Sequence, residues 1–204
     1  MTYDPQEQIN ITNNDLKTYL IGSMETPGKD DAGEGWRKNI TPHLNTRGIY
    51  CFDPTKEETS KVGMPTKELI EKLNGWQLSG NWDLFTEYMS KIWKGVSYVD
   101  EDEGEPRMVH IMGDTDYVEN SDFLIFNLHE GDKLGGTIAE LTIAWYRGIP
   151  VYLLTDMPKH KINKSILYFI LDSGHGKGDI FRTQTDLLKF LDVEYKTTGT
   201  FWKE

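Results

Sequence analysis

The chain has 204 residues, enough for one sizeable α/β core and at most a helical insertion beside it. With 37% apolar and 12% aromatic residues, pervasive disorder is excluded. Twenty-two basic against 33 acidic side chains give a net charge of −11 without any long Lys/Arg run, which argues against polymeric nucleic acid as a partner but leaves room for a small anion at a helix N-terminus.

Residues 18–21 are a short apolar run ending at Gly22-Ser23, and residues 49–52 another ending at Asp53-Pro54; both read as buried parallel strands. Between them Trp36, Ile40 and Leu44 recur every four residues, one face of a helix that Pro42 is expected to bend. From Thr55 to about Pro106 the rhythm changes. Leu69, Ile70, Leu73, Trp76, Trp82, Phe85, Met89, Ile92 and Trp93 fall at largely helical spacings, so two inserted helices are expected, followed by a solvated acidic loop over 100–105. A short helix then leads from Asp114 towards Asp122. Residues 122–128 form a nearly continuous apolar strand, 137–147 a helix closed by Gly148, and 150–154 the next strand. A helix over about 163–171, the Gly-rich stretch 173–178, a short strand at 179–181 and a last helix starting at Thr185 or Asp186 complete the chain.

Strands alternating with helices predict a flavodoxin-like, doubly wound parallel sheet of five strands with an inserted helical segment. The whole of 1–204 is expected to be one domain, with the insertion at about 55–106. Cys51 is the only cysteine, so no internal disulfide and no thiolate metal site are expected. The N-terminal residues lack a basic and then apolar leader, and no run of about 18 apolar residues occurs. No membrane partner is expected, and a cytoplasmic location is.

In open α/β sheets ligands sit beyond the carboxyl ends of the strands, where strand order reverses. Gly22-Ser23, the turn after Leu128 and the start of the helix bearing Glu140 would converge there, and a short helix can bring Asp114 to the same edge. Glycines at Gly135-Gly136 let a ligand approach the backbone, and the following turn carries Glu140. The plain alternative is a tight turn followed by a solvated glutamate. His43, His110, His129, His160 and His175 show no metal-binding spacing, so no metal is expected; His129 alone sits at a strand end near the cleft. The 174–178 stretch is not followed by the Lys-Ser/Thr of a phosphate loop and reads as a connection. Trp76, Trp82 and Trp93 read as core or interface.

The residues Tyr19-Leu-Ile-Gly-Ser23, Asp114 and Asp122 eight apart, and Gly136-Thr-Ile-Ala-Glu140-Leu141 with Ala144 and Gly148-Ile-Pro-Val151 together resemble the nucleoside 2-deoxyribosyltransferase family and its relatives, the deoxynucleoside 5′-monophosphate N-glycosidases. Trp36-Arg37 is also similar to the family pattern. The resemblance covers about 18–55 and 110–155. It implies a flavodoxin-like fold, cleavage of an N-glycosidic bond, Glu140 as nucleophile at C1′, Asp114 as proton donor and base contact, and Tyr19 orienting the nucleophile. It further implies that Gly22, Ser23, Gly135, Gly136 and Thr137 bind substrate, with the Ser23 hydroxyl on a 5′-phosphate. Where the family often carries a sugar-binding aspartate, this chain has Leu134, and Asp132 is the nearby substitute. No cofactor is implied, and a homo-oligomer is, with the C-terminal Phe201 and Trp202 helping to complete the pocket. The Gly135-Gly136-Thr137-x-x-Glu140 run is also similar to the loop of the cytokinin-activating phosphoribohydrolase and lysine-decarboxylase-like group, without its leading Pro and inner Gly.

Two other readings fit the same residues. A non-catalytic nucleotide-binding protein would keep the fold and use the aromatic insertion for a partner, and a purely structural oligomer would bind no nucleotide.

Overall fold

The computed structural model describes residues 16–24, 34–100 and 106–197, and of residues 57–60 only the backbone. The first unit is β1 (Leu16–Gly22), α1 (Glu34–Asn45) and β2 (Ile49–Phe52). Along β1 the side chains alternate between two buried layers, Tyr19 and Ile21 on one face and Leu20 on the other, as a strand covered by helices on both sides must do. Pro42 lies inside α1. The helix continues past it, with the Thr41 hydroxyl donating to the Arg37 carbonyl at 2.8 Å.

After β2 come three helices and a hairpin: α2 (Pro54–Val62), α3 (Thr66–Ser79), α4 (Trp82–Lys94), β3 (Val96–Asp100) and β4 (Arg107–Ile111). Spacing alone gave two helices and a loop. The helix that it missed, α2, has the mostly polar sequence PTKEETSKV, so it offers no apolar face to recognise. Its start is nevertheless physically marked: Asp53 Oδ1 accepts from the Thr55 amide (3.1 Å) and hydroxyl (2.7 Å), and Pro54 takes the first helical position. The antiparallel hairpin frames the acidic run, Asp100 pairing with Arg107 at 3.0 Å; residues 101–105 of that run lie outside the described residues, as do Phe201 and Trp202.

The chain then resumes its alternation with α5 (Asp114–Glu119), β5 (Phe123–Leu128), α6 (Gly135–Arg147), β6 (Val151–Thr155), α7 (Lys164–Gly176), β7 (Asp179–Phe181) and α8 (Gln184–Glu194), with a 3-10 turn at Lys159–Lys161. The Thr183 side chain accepts from the Asp186 amide and caps α8, so this helix starts slightly earlier than its apolar residues indicate. The Gly-rich stretch is a break within the end of α7, where Gly174 takes φ 58°. A Cβ there would come within 2.5 Å of the Pro150 side chain, so this glycine answers to packing.

The main sheet has the order β2-β1-β5-β6-β7, and every pairing in it is parallel. Setting the hairpin aside, this is the flavodoxin-like 2-1-3-4-5 order, five strands doubly wound. On one face lie α5, α6 and α7, with Tyr117, Val118, Leu141, Ala144 and Ile170 packed against Tyr19, Leu124 and Phe126. On the other, Ile40, Leu44, Leu187 and Leu191 of α1 and α8 cover Leu20, Phe123 and Ile125. The inserted helices have a small core of their own around Met64, Leu69 and Ile92. Among the described residues no helix is long and apolar enough to cross a membrane.

Candidate active site

Strand order reverses between β1 and β5, so the connections leaving their carboxyl ends run to α1 on one face and α6 on the other and leave a crevice between them. A cleft of about 430 Å³ opens there. Its polar side is made by Gly22 and Ser23 from the end of β1, Arg37 from α1, Asp114 from the start of α5, and Lys133, Gly135, Gly136, Thr137 and Glu140 at the start of α6. Facing them is an apolar wall from the insertion, with Leu69, Leu73, Met89, Ile92 and Trp93 prominent. Trp93, expected in a core or interface, packs against the insertion's core and also lines the cleft, whereas Trp82 is 58% exposed.

Gly22 and Asn127 are register partners at the ends of β1 and β5. A Cβ on Gly22 would stand 2.8 Å from the Asn127 carbonyl oxygen, so a side chain there would wedge the strands apart. The turn is tied from below by Arg37, wholly buried, which donates to the carbonyls of Leu20 and Gly22, each at 3.2 Å, and lies 3.8 Å from Asp53 Oδ1. Ser23 is consequently held at the cleft edge on a fixed backbone.

The two glycines opening α6 are different. Neither has a positive φ; a Cβ on Gly135 would meet nothing within 4 Å, and one on Gly136 would meet only Trp93 Cζ2 at 3.9 Å. Nothing in the protein's own packing requires glycine at either position. The helix starts at Leu134 without a side-chain cap, so its first amides face an uncluttered surface.

Tyr19 is buried beneath the cleft, and its hydroxyl donates to Glu140 Oε1 at 3.0 Å. The same hydroxyl is hydrogen-bonded to the Asp114 carboxyl. The structure thus joins the three residues singled out as catalytic, from β1, α5 and α6, through one phenol. A phenol has one proton. It can therefore be given to Glu140 or to Asp114, but not to both at once. Burial pushes the Asp114 carboxyl above its ordinary value, while Lys61 and Tyr19 pull in the opposite direction by favouring its charged form.

Lys61 was not legible as a site residue. It comes from α2, its side chain is fully buried, and its Nζ donates to Asp114 Oδ1 at 2.8 Å and to the Ile92 carbonyl at 3.3 Å. The ammonium also stands 5.0 Å from the centre of the Tyr117 ring. In sequence it is one lysine in a polar run, and no spacing distinguishes it.

Asp132 is not part of the cleft wall. Its Oδ2 accepts from the His129 amide at 2.7 Å, closing the turn after β5. His129 is likewise turned aside, with Nδ1 3.5 Å from Asp156 and Nε2 3.1 Å from the Asn127 amide nitrogen. Among the described residues no group of three or more His, Cys, Asp or Glu side chains is arranged to hold a metal.

No protein-family model matches the chain, and no curated protein matches it in sequence. Solved structures do resemble it. They include a 2-deoxyribosyltransferase from Bacillus psychrosaccharolyticus, 17% identical over 85% of this chain and 90% of that one, with a TM-score of 0.46. A conserved protein from Enterococcus faecalis V583 is 14% identical over 86% and 96% of the two chains, with a TM-score of 0.48. The CMP N-glycosidase BcmB of Clostridium botulinum is 11% identical over 87% and 99%, with a TM-score of 0.43.

Proposed function

We propose that the protein cleaves the N-glycosidic bond of a (deoxy)nucleoside or its 5′-monophosphate, with water or a second base as acceptor. The observation that carries this reading is the Tyr19 hydroxyl shared by Glu140 and Asp114 at the floor of a cleft with one polar and one apolar side.

Loss of a nucleobase leaves oxocarbenium-like charge at C1′, which a carboxylate can capture, while a proton makes the base a better leaving group. Glu140 attacks C1′ as the C1′–N bond breaks; the bonding pair leaves with the base, which takes the Asp114 proton. Water or an acceptor base then attacks C1′, the Glu140–C1′ bond breaks, and the proton released by the acceptor returns to Asp114. Tyr19 keeps the Glu140 oxygen in place without itself changing charge. The apolar wall suits the flat faces of a base. The open start of α6, with Ser23 and Lys133 beside it, suits the sugar and a 5′-phosphate. Asp132, engaged in its turn, is a weaker candidate for the sugar hydroxyls than the sequence suggested. No cofactor enters this chemistry. A cytoplasmic setting, where nucleotides are metabolites, and a homo-oligomer belong to the same proposal; the insertion's exposed Leu78 and Met108 support the latter, and light scattering of the full chain tests it.

Wild type and Glu140→Ala, incubated with a panel of deoxynucleosides and their 5′-monophosphates with and without an acceptor base, test the reading by chromatography of the free base. Release or exchange by wild type, reduced on the order of 10³-fold or more in the variant as for other covalent nucleophiles, is the expected outcome. One observation favours a second reading, nucleotide binding without turnover: the Lys61 ammonium at 2.8 Å favours the ionised form of Asp114, which has no proton to give. That reading predicts thermal stabilisation by a nucleotide and no free base from either protein.

A further inference from the structure

Lys61 is the charged group the mechanism leaves unused, and its placement is expensive. A lysine side chain with no exposed surface loses its hydration, and Nζ recovers two bonds, one to Asp114 and one to the Ile92 carbonyl. Such buried pairs contribute little net stability compared with apolar residues of similar size, so fold stability alone does not account for a lysine here. The pair also sits where chemistry is expected, because Asp114 borders the cleft.

We propose that Lys61 is a positioning residue for the reaction: it anchors one oxygen of Asp114, leaving the other for Tyr19 and the departing base, and its charge governs when Asp114 holds a proton. This rests on the glycosidase reading given above. The groups facing the Asp114 carboxyl are few. Lys61 comes from α2, the Tyr19 phenol from β1, and Glu140 of α6 is reached through that phenol. On α5 itself the Tyr117 ring lies under the ammonium, while Asp116 is occupied by His110 and the Gly113 amide. From α4 come the carbonyls of Ile92, on Lys61, and Trp93, on Thr115. Lys61 is thus the one cation in direct contact with Asp114 among these groups. The insertion, through α2, thereby reaches the proton donor as well as the apolar wall.

The sign follows from electrostatics. A cation beside the carboxyl favours its ionised form; protonated Asp114 is the form that can serve the leaving base. Removing the charge therefore moves the loss of activity on the alkaline side to higher pH. Lys61→Gln keeps a donor for Asp114 without the charge, Lys61→Met removes both, and Lys61→Arg keeps both.

The test is the pH profile of base release for the four proteins, run alongside NMR titration of the Asp114 carboxyl carbon in protein labelled at its aspartates, assigned with Asp114→Asn. In Lys61→Gln the carboxyl midpoint and the alkaline limb of kcat are both expected to move up by at least one pH unit, a tenfold change in the protonated fraction. Lys61→Met is expected to shift them likewise and also to lower the low-pH plateau, and Lys61→Arg to restore the wild-type midpoint. Midpoints unchanged in Lys61→Gln and Lys61→Met, with intact melting curves, would overturn the proposal and leave Lys61 a structural tie. If wild type released no base at any pH, the glycosidase reading would fail, and with it the catalytic role of Lys61. The carboxyl titration would then still decide whether Lys61 controls the Asp114 proton.

Discussion

At the scale of single residues, the site depends on how one phenol divides its hydrogen bonding between two carboxyl groups. Tyr19 is wholly buried and packs at a tilt against Tyr117, ring centres 5.5 Å apart, so its ring is fixed by packing. Tyr19→Phe keeps the packing and deletes the shared bond. A hydrogen bond to a charged group is worth about 1.5–3 kcal/mol, so kcat is expected to fall roughly 10–100-fold with KM little changed; an unaltered rate would mean that Glu140 needs no orienting. Cys51 offers a contrast. Burial pushes its thiol up to about 12, so it is a poor nucleophile at neutral pH and is expected to react with a thiol reagent much more slowly in the native protein than in denaturant.

At the scale of elements, the strand ends and helix starts that frame the cleft were legible because each carries its own punctuation. Gly22 closes β1 where a side chain would strike Asn127, Gly148 ends α6 in the left-handed conformation, and the four-residue repeat in α1 survives the proline inside it. The elements that escaped reading lack such signals. Helix α2 is polar and is held by tertiary bonds, chiefly the Lys61 contacts to α5 and α4, and the hairpin β3–β4 is a two-stranded unit whose Tyr98, Val99 and Met108 are exposed, so no clean alternation marks it. Spacing correctly indicated helices in the insertion but could not tell which face of them lines the cleft. The start of α6 gives the sharpest test at this scale. Glycine in a helix costs roughly 0.5–1 kcal/mol relative to alanine, and Gly136 has room for a Cβ. Gly136→Ala is therefore expected to raise the melting temperature slightly while lowering kcat/KM. A fall in both would mean that the glycine serves the fold.

At the scale of the molecule, the sheet and the insertion are unequal partners. The two layers against the sheet are continuous, whereas the insertion's buried core consists of Met64, Leu69 and Ile92 with a fringe of partly buried neighbours. Regions with few buried apolar contacts open at lower free energy than the global core. The cleft lies between these two parts, with its polar side on the sheet and its apolar wall on α3 and α4. A ligand that touches both sides favours the closed arrangement over every locally opened one, by about 2.7 kcal/mol at a concentration a hundred times its Kd. Hydrogen exchange read by mass spectrometry is therefore expected to be faster in α3 and α4 than in β1 and β5 for the free protein. A bound deoxynucleoside 5′-monophosphate should slow exchange in α3 and α4 on the order of 100-fold, the same energy expressed as a change in opening, while inorganic phosphate, which can engage only the polar side, should slow the start of α6 alone. Equal protection of α3 and α4 by the nucleotide and by phosphate would place the ligand away from the apolar wall and detach the insertion from base recognition.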